Sequence, residues 1–470
     1  MAGTITSAGL GSGLAVESII SQLMQLERQP ITQLQSRITT VDARLSALGR
    51  VKSAMSALQT AANDIKTAAG FSVFKTAVGD SKVLTASAGS TANVANHSVE
   101  VKSLAATQKL AAQGLASSTS TIATGTLTLE LGSFDGATYT ADPGRTYMVP
   151  IGTGNNTLEG LRDAINDLDA DVTASIVNDG SANPARLVLS PKGSGSANVI
   201  RTSGLTGFDF NPEAPLAGAM EQTIAAKDAV VVVDGITVTK SSNTITDALE
   251  GVTLNLVGSN EGSPTTLDVS QDVDAVKGKI EAFVNAFNEL NTLIRSETSF
   301  NTDTGVAGTL NADSSVRSIR DQLRQIASSD LATAVGGLNR LSDIGISFNV
   351  EGALTIDSTA LDDALADPAR DVAGLFAGNS GVSGLAVQIS DRLGSLLGVG
   401  GTIESRTDSY TQTKEGFGDR IEQLELRMTA IEERYRRQYA ALDTLVASMN
   451  TTGSFLSQQL LSLQNLTSNG

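Results

Sequence analysis

The residues able to do chemistry are few and poorly spaced for it. The sequence has no cysteine and one histidine, which excludes disulfides, thiolate metal sites, cysteine nucleophiles and any multi-histidine metal centre. A Ser-His-Asp triad could draw only on His97, in Asn96-His97-Ser98 just before an alternating strand; an exposed or hydrogen-bonded ring is the reading there. Gly278-Lys279 is followed by Ile280 and lacks the upstream glycine of a phosphate-binding loop. Gly152-Thr153-Gly154 lacks the third glycine of a dinucleotide fingerprint and lies in a β-rich stretch. Asp167, Asp169 and Asp171 alternate like the opening of a calcium loop, but Val172 stands where that loop needs glycine and Asn178 where it needs glutamate. These aspartates read as a solvated helix end. In so acidic a chain no carboxylate pair stands out as acid and base. The expectation is a protein that is not an enzyme, with no catalytic, cofactor-binding or metal-binding residues and no cofactor.

Composition points the same way. The chain has 470 residues and a formal charge of −17, and that balance argues against nucleic acid as a partner, since phosphate backbones need clustered Lys and Arg. The length predicts about three domains. Aromatic residues are 4% of the chain, so the cores must be built from Leu, Ile, Val and Ala. No apolar run is long enough for a membrane span. The first basic residue is Arg28, so a secretory n-region is missing, and the chain reads as either cytoplasmic or exported by a route that does not read such a signal.

What remains is a set of elements that could position partners. Val16, Ile19, Ile20, Leu23, Met24 and Leu26 have helical spacing, and Pro30 ends or kinks that helix. Next, Ile31, Leu34, Ile38, Val41, Leu45 and Leu48 step by three and four, a coiled-coil seam. It shifts phase at Val51 and continues through Met55, Leu58, Ala62 and Ile65. Alternation takes over from about residue 71 to 272: Val99 and Val101; Leu127, Leu129 and Leu131; Val252, Leu254 and Leu256. Asp234-Gly235 predicts a type I′ hairpin after Val230–Val233. Thr157 predicts the N-cap of a short helix carrying Leu158, Leu161, Ile165 and Leu168.

Helices return after about 273, with one apolar face on Val276, Ile280, Phe283, Val284 and Phe287 and another on Val316, Ile319, Leu323 and Ile326. A small hairpin is expected from Ile346, Phe348 and Val350 through Glu351-Gly352 to Leu354 and Ile356. Ser358 is expected to cap the next helix, and Asp367-Pro368 to start another. The longest pattern follows: Ile421, Leu424, Met428, Ile431, Tyr435, Gln438, Leu442, Leu445 and Met449, with Gln438 the only polar member. A helix of some 40 residues there would be about 60 Å long. A stalk or coiled coil between chains, and a long helix packed inside its own domain, both remain open.

Both chain ends are poor in charge. From Thr444 onward there is no charged side chain, yet Phe455, Leu456, Leu460, Leu461, Leu463 and Leu466 recur among Ser, Gln and Asn. A helix of about 14 residues is marginal alone in water and needs a surface to order it. Ile19, Ile20, Leu23, Leu26, Phe455, Leu456, Leu460 and Leu463 are therefore expected to bind partners. The seam assignment covers Leu34, Ile38, Val41, Leu45, Leu48, Ile421, Leu424, Met428, Ile431, Tyr435, Leu442 and Leu445. The fold class expected is multidomain α+β, a helical coiled-coil leg formed by both chain ends with β-rich domains inserted between them.

Some of these stretches carry a resemblance. Gly9-Leu10-Gly11-Ser12-Gly13-Leu14, Glu17-Ser18-Ile19-Ile20 and Leu26-Glu27-Arg28-Gln29-Pro30 resemble the start of the bacterial flagellar filament-capping family, the hook-associated protein 2 family. Phe283-Val284-Asn285-Ala286-Phe287-Asn288-Glu289-Leu290, Leu310-Asn311-Ala312-Asp313 and Gly345-Ile346 through Gly352-Ala353-Leu354 resemble its C-terminal region. Thr157-Leu158 to Leu187-Val188-Leu189-Ser190 is similar to a β-rich module of flagellin-like proteins. The resemblance implies terminal assembly helices at 1–30 and 451–470 and a leg at 31–79 and 273–450. It implies a first β-rich plate domain at 80–106 and 226–272 and an inserted one at 107–225. It also implies a homo-oligomer at the filament tip, outside the cell, with flagellin, hook–filament junction proteins and a flagellar export chaperone as partners. Promotion of flagellin folding and polymerisation, and retention of flagellin in the channel, are the implied function. Two other classes compete: a surface adhesin using the β domains as binding module, and a wall hydrolase, which lacks a catalytic constellation.

Overall fold

The computed structural model describes residues 15–331, 337–367, 369–379 and 381–467, the last six as backbone alone. The glycine-rich start at 9–14, Pro368 and the side chains of Leu463 and Leu466 lie outside the described residues. The helices are α1 (Val16–Glu27), α2 (Gln29–Ile65), α3 (Ala68–Phe71), α4 (Leu158–Asn166), α5 (Val273–Thr298), α6 (Ser314–Ser328), α7 (Ser358–Ala366), α8 (Val372–Ala377), α9 (Leu385–Leu397) and α10 (Thr402–Thr467). The chain divides into two units: a helical one up to Ala68 and from Lys277 onward, and a β-rich one from Ala69 to Val276. Helices from both chain ends with β-sheets inserted between them are the architecture expected from the sequence.

In the helical unit, α2 changes partner along its length. Its first half faces α10, with Asp42 accepting from Lys414 at 2.7 Å and Arg44 over the Tyr410 ring. Its second half faces α9, where Gln59 donates to the Ser390 carbonyl and Ser390 hydrogen-bonds Asn63 at 2.8 Å. Val51, Met55, Leu58, Ala62 and Ile65 are fully buried there. The seam changes phase near Val51, where the face must turn from one neighbour to the other. Phe283 and Phe287 of α5 meet Phe376 and Phe348 edge-on at 6.0 and 5.9 Å, the offset geometry that the ring quadrupoles favour.

Three local expectations are corrected. The cap of α7 is Asp357, whose carboxylate accepts from the Thr359 and Ala360 amides; Ser358 is its first residue. Asp367 starts no helix: it accepts from the Ala369 amide in a turn, and α8 begins at Val372 under Asp371. At α7 aspartate outcompetes serine because its charge also meets the helix dipole. Val350 belongs to the turn of the small hairpin, since the strand Ile346–Phe348 ends before it and Asn349 accepts from the Glu351 and Ala353 amides.

The β-rich unit has two cores. The first lies between a five-stranded sheet, ordered Phe74–Val78, Thr265–Gln271, Ala95–Ser103, Ala229–Val233, Ile236–Lys240, and a three-stranded sheet, Thr244–Leu249, Val252–Leu256, Leu84–Ala88. Val99, Val101, Val231, Leu254 and Leu267 fill it. Because Phe74–Val78 pairs with Thr265–Gln271, residues 69–79 fall with the β unit and not with the leg. The Asp234-Gly235 turn has both central residues at positive φ, 50° and 83°, as a type I′ hairpin needs.

The second core belongs to the inserted stretch. A four-stranded sheet (Met220–Ile224, Lys109–Ala112, Ala185–Pro191, Val172–Asn178) and a three-stranded sheet (Tyr139–Ile151, Gly125–Phe134, Val199–Ser203) enclose Leu127, Leu129, Leu131, Leu189 and Phe210 with α4. Thr157 caps α4 by accepting from the Gly160 amide at 3.1 Å, and Leu158, Leu161 and Ile165 are buried. Leu168 lies beyond the helix and is exposed. Gly195 joins the two β bodies: at φ 90° it donates to the Ala106 carbonyl, and a Cβ there would collide with Ser241 and Asp228.

Candidate assembly interface

The residues that could bind a partner sit on α10. At 66 residues this helix is about 99 Å long, longer than the sequence pattern suggested. Gly453 does not end it, because one glycine costs only about 1 kcal/mol in a helix interior. The three-and-four repeat from Ile421 to Met449 therefore shares one element with Phe455, Leu456 and Leu460.

The base is fixed by a polar node the sequence did not reveal. Asp313 caps α6 by accepting from the Ser315 amide, while Arg406 and Tyr410 of α10 donate to its other oxygen at 2.6 and 3.1 Å. Its side chain is 1% exposed. Burial alone would raise its pKa, but the hydrogen bonds from Arg406 and Tyr410 outweigh burial and hold the carboxyl below its usual value. Arg406 also stacks over the Tyr410 ring at 4.9 Å. Partners 93 and 97 residues away leave no periodic trace in a sequence.

Above the node, α1 covers part of the α10 seam. Val16, Ile20 and Met24 are buried with Ile31, Met428 and Ile431, and Ile421, Leu424, Tyr435 and Tyr439 pack against them half-buried. Exposed ion pairs flank this seat: Glu17–Arg436 at 2.7 Å and Arg28–Glu425 at 3.7 Å. Tyr435 donates to Glu27 at 3.0 Å. Arg436 also holds Glu432, and the two carboxylates raise its pKa. The N-terminal helix, expected from sequence to order only against a partner, is thus ordered on its own chain: Ile20 is buried, Ile19 and Leu23 half-buried, and Leu26 exposed. Val16 and Met24, not singled out as binding residues, do most of the burying because they share one face with Ile20 at four-residue spacing.

Further along, the cover stops. Gln438, Leu442, Leu445 and Met449 are exposed, as are Phe455 (59%), Leu456 and Leu460 (67%). On α2, Val41 and Leu48 are buried, while Leu34, Ile38 and Leu45 are half-buried. The seam residues therefore fall into two sets, those used within the helical unit and those presented bare, with the division on α10 near residue 440. Lone exposed leucines need no explanation, but a row of them running into a stretch with no charge after Asp443 marks a surface built for contact.

The candidate chemical residues lead elsewhere. His97 lies within the strand Ala95–Ser103, and its Nδ1 is 2.7 Å from Asp234 at the hairpin turn. Asp234 also accepts from the Ser98 amide, and the His97 and Ser98 bonds lower its pKa. Gly278 and Lys279 fall inside α5, where no phosphate loop can form. Gly152–Gly154 makes the turn between a strand and α4, held by Asn155 accepting from the Gly152 amide. Asp169 takes a left-handed turn with φ 47° just after α4. Among the described residues no helix is long and apolar enough to cross a membrane.

Known proteins give this arrangement a context. Residues 12–108 match the family model described as flagellar hook-associated protein 2 N-terminus, and residues 226–451 match that of its C-terminus. The A-type flagellar hook-associated protein 2 of Pseudomonas aeruginosa is 31% identical over 494 residues, covering 99% of this chain and 99% of its own. The flagellar hook-associated protein 2 of Escherichia coli K12 is 31% identical over 472 residues, covering 97% and 98%. The crystal structure of the D1-D2-D3 domains of the flagellar cap protein FliD from Escherichia coli superposes with a TM-score of 0.65 at 30% identity, covering 78% of this chain and 99% of that one. This chain belongs to the flagellar hook-associated protein 2 family.

Proposed function

We propose that several copies of this chain form the cap at the distal tip of a growing flagellar filament, outside the cell. The uncovered, charge-free end of α10 carries this reading. Leu442, Leu445, Met449, Phe455, Leu456 and Leu460 are exposed on a helix with no charged side chain beyond Asp443. Fully burying one leucine contributes roughly 1.5–3 kcal/mol, and ordering the side chains and the partner offsets much of that. Such contacts are tied to no charge register. The end can therefore bind strongly in sum and still shift between inequivalent filament surfaces as subunits add.

In this reading the β-rich units form a plate over the channel, so that exported flagellin is held, folds beneath it and joins the filament. Flagellin and the hook–filament junction proteins are the partners of the exposed end, and an export chaperone shields it before assembly. The chain travels through the flagellar channel without a cleavable signal, and its lack of cysteine suits a passage in the unfolded state. The chain works by binding and not by turnover: its one histidine is engaged with Asp234 in a hairpin. Deleting 451–470 tests the reading. Leg stability stays unchanged in the expected outcome, while electron microscopy shows filaments lost and flagellin secreted unpolymerised. Normal filament growth and tip attachment by the truncated chain would overturn it.

A further inference from the structure

We propose that α1 is an exchangeable element: in the assembled oligomer it leaves its own α10 and occupies the same seat on a neighbouring copy. The inference rests on the homo-oligomer reading above and adds how neighbouring copies are joined. Three observations carry it.

The joint between α1 and α2 is a built-in weak point. Only Arg28, at φ −79° and ψ −6°, separates Glu27 from Gln29. Pro30 follows in the first turn of α2, has no N–H for the Leu26 carbonyl, and its ring would collide with that carbonyl in a continuous helix. Arg28 stays helical, donating to the Met24 carbonyl and accepting from the Ile31 and Thr32 amides, so the ladder is weakened at Pro30 alone and the joint is a point where α1 can bend away.

The attachment is made to be reversible. The side chains that α1 buries, Val16, Ile20 and Met24, gather with Ile31 of α2 and with Met428 and Ile431 of α10. Its ion pairs lie at the rim: Glu17–Arg436 and Arg28–Glu425 have side chains about half exposed, where ion pairs are weak, and the one part-buried polar contact is the hydrogen bond from Tyr435 to Glu27. Arg436 keeps Glu432 at 3.0 Å if Glu17 departs.

The seat also fits a second copy by construction. A twelve-residue helix is too short to hold its form alone in water, so a displaced α1 must find an equivalent surface. The surface already shown to be complementary is α10 of the same sequence. In a closed ring where each copy gives one α1 and receives one, no seat is left empty, and the contacts of the monomer are kept between chains.

The absence of cysteine makes the test clean. Glu17→Cys and Arg436→Cys replace the rim pair and leave the apolar seat intact. One chain carrying Glu17→Cys is mixed with another carrying Arg436→Cys, assembled, and treated with a short bis-maleimide. The expected result is a covalent two-chain product from the oligomer and none from the dilute mixture. The double variant as a dilute monomer cross-links within one chain. Oligomers of normal size whose double variant cross-links only within chains, with no two-chain product from the mixture, would overturn the exchange. Sedimentation that finds no oligomer at any concentration would remove the homo-oligomer reading itself, and the exchange with it.

Discussion

The two halves of α10 carry the same three-and-four repeat and meet opposite fates. Below residue 440, Met428 and Ile431 are buried beneath α1, and the base is fixed through Arg406 and Tyr410 to Asp313. Above it, Leu445, Met449, Phe455 and Leu460 face solvent. Charge separates the halves as well: Arg420, Glu425, Arg427, Glu432, Glu433, Arg436 and Arg437 decorate the lower half, and nothing charged follows Asp443. A lower half that holds its place tolerates surface ions. An upper half whose whole circumference can be covered carries only Asp443, near its lower edge, because each buried unpaired charge would be costly.

The contrast can be broken most forcefully at the buried positions. Phe283→Ala, which removes a fully buried ring packed edge-on against Phe376, should cost about 3–5 kcal/mol in chemical denaturation followed by helix signal. Ile431→Ala should cost about 2–3 kcal/mol, near the lower limit for a buried site because the seat is shallow. A loss under 0.5 kcal/mol would mean that α1 does not cover the seam in solution.

Asp313→Asn should cost about 1–3 kcal/mol, since Arg406 loses its charged partner and the α6 cap weakens. The pH dependence has a defined sign. The folded carboxyl sits below its ordinary value of 3.8, so its contribution is complete above that value and is lost as pH falls through the folded pKa. Unfolding midpoints of the native chain should be level above about pH 5 and fall in stronger acid, and Asp313→Asn should remove this part of the fall.

The smallest effects belong to the upper half. Leu445→Ser and Leu456→Ser should change the stability of the isolated chain by less than about 0.5 kcal/mol while weakening attachment to filament ends. That attachment should also be nearly independent of salt from about 0.05 to 0.5 M, because no charges are there to screen. A steep salt dependence would place the binding surface elsewhere, on the charged lower half or the β unit.

Much of the fold was legible in residue spacing. The repeats from Ile31 to Ile65 and from Ile421 to Met449, the alternation at Leu127–Leu131 and the Asp234-Gly235 turn each became the element expected, because local periodicity reports which side of a helix or strand is apolar. Caps were less legible. Asp357 and Asp371 do not stand out in the sequence because several capping residues compete within a few positions, and the choice depends on where the first turn packs. The Asp313 node was invisible, since nothing local links residues 313, 406 and 410.

The sequence by itself determined that both ends are helical, that the middle is β-structured, and that the final stretch lacks charge, all properties of neighbouring residues. Only the tertiary structure decided which stripe is covered. Ile20 and Phe455 look alike in a list of spacings, yet one is buried on its own chain and the other faces water. An apolar stripe fixes that a helix must bind something; what it meets depends on which surfaces the rest of the chain brings within reach.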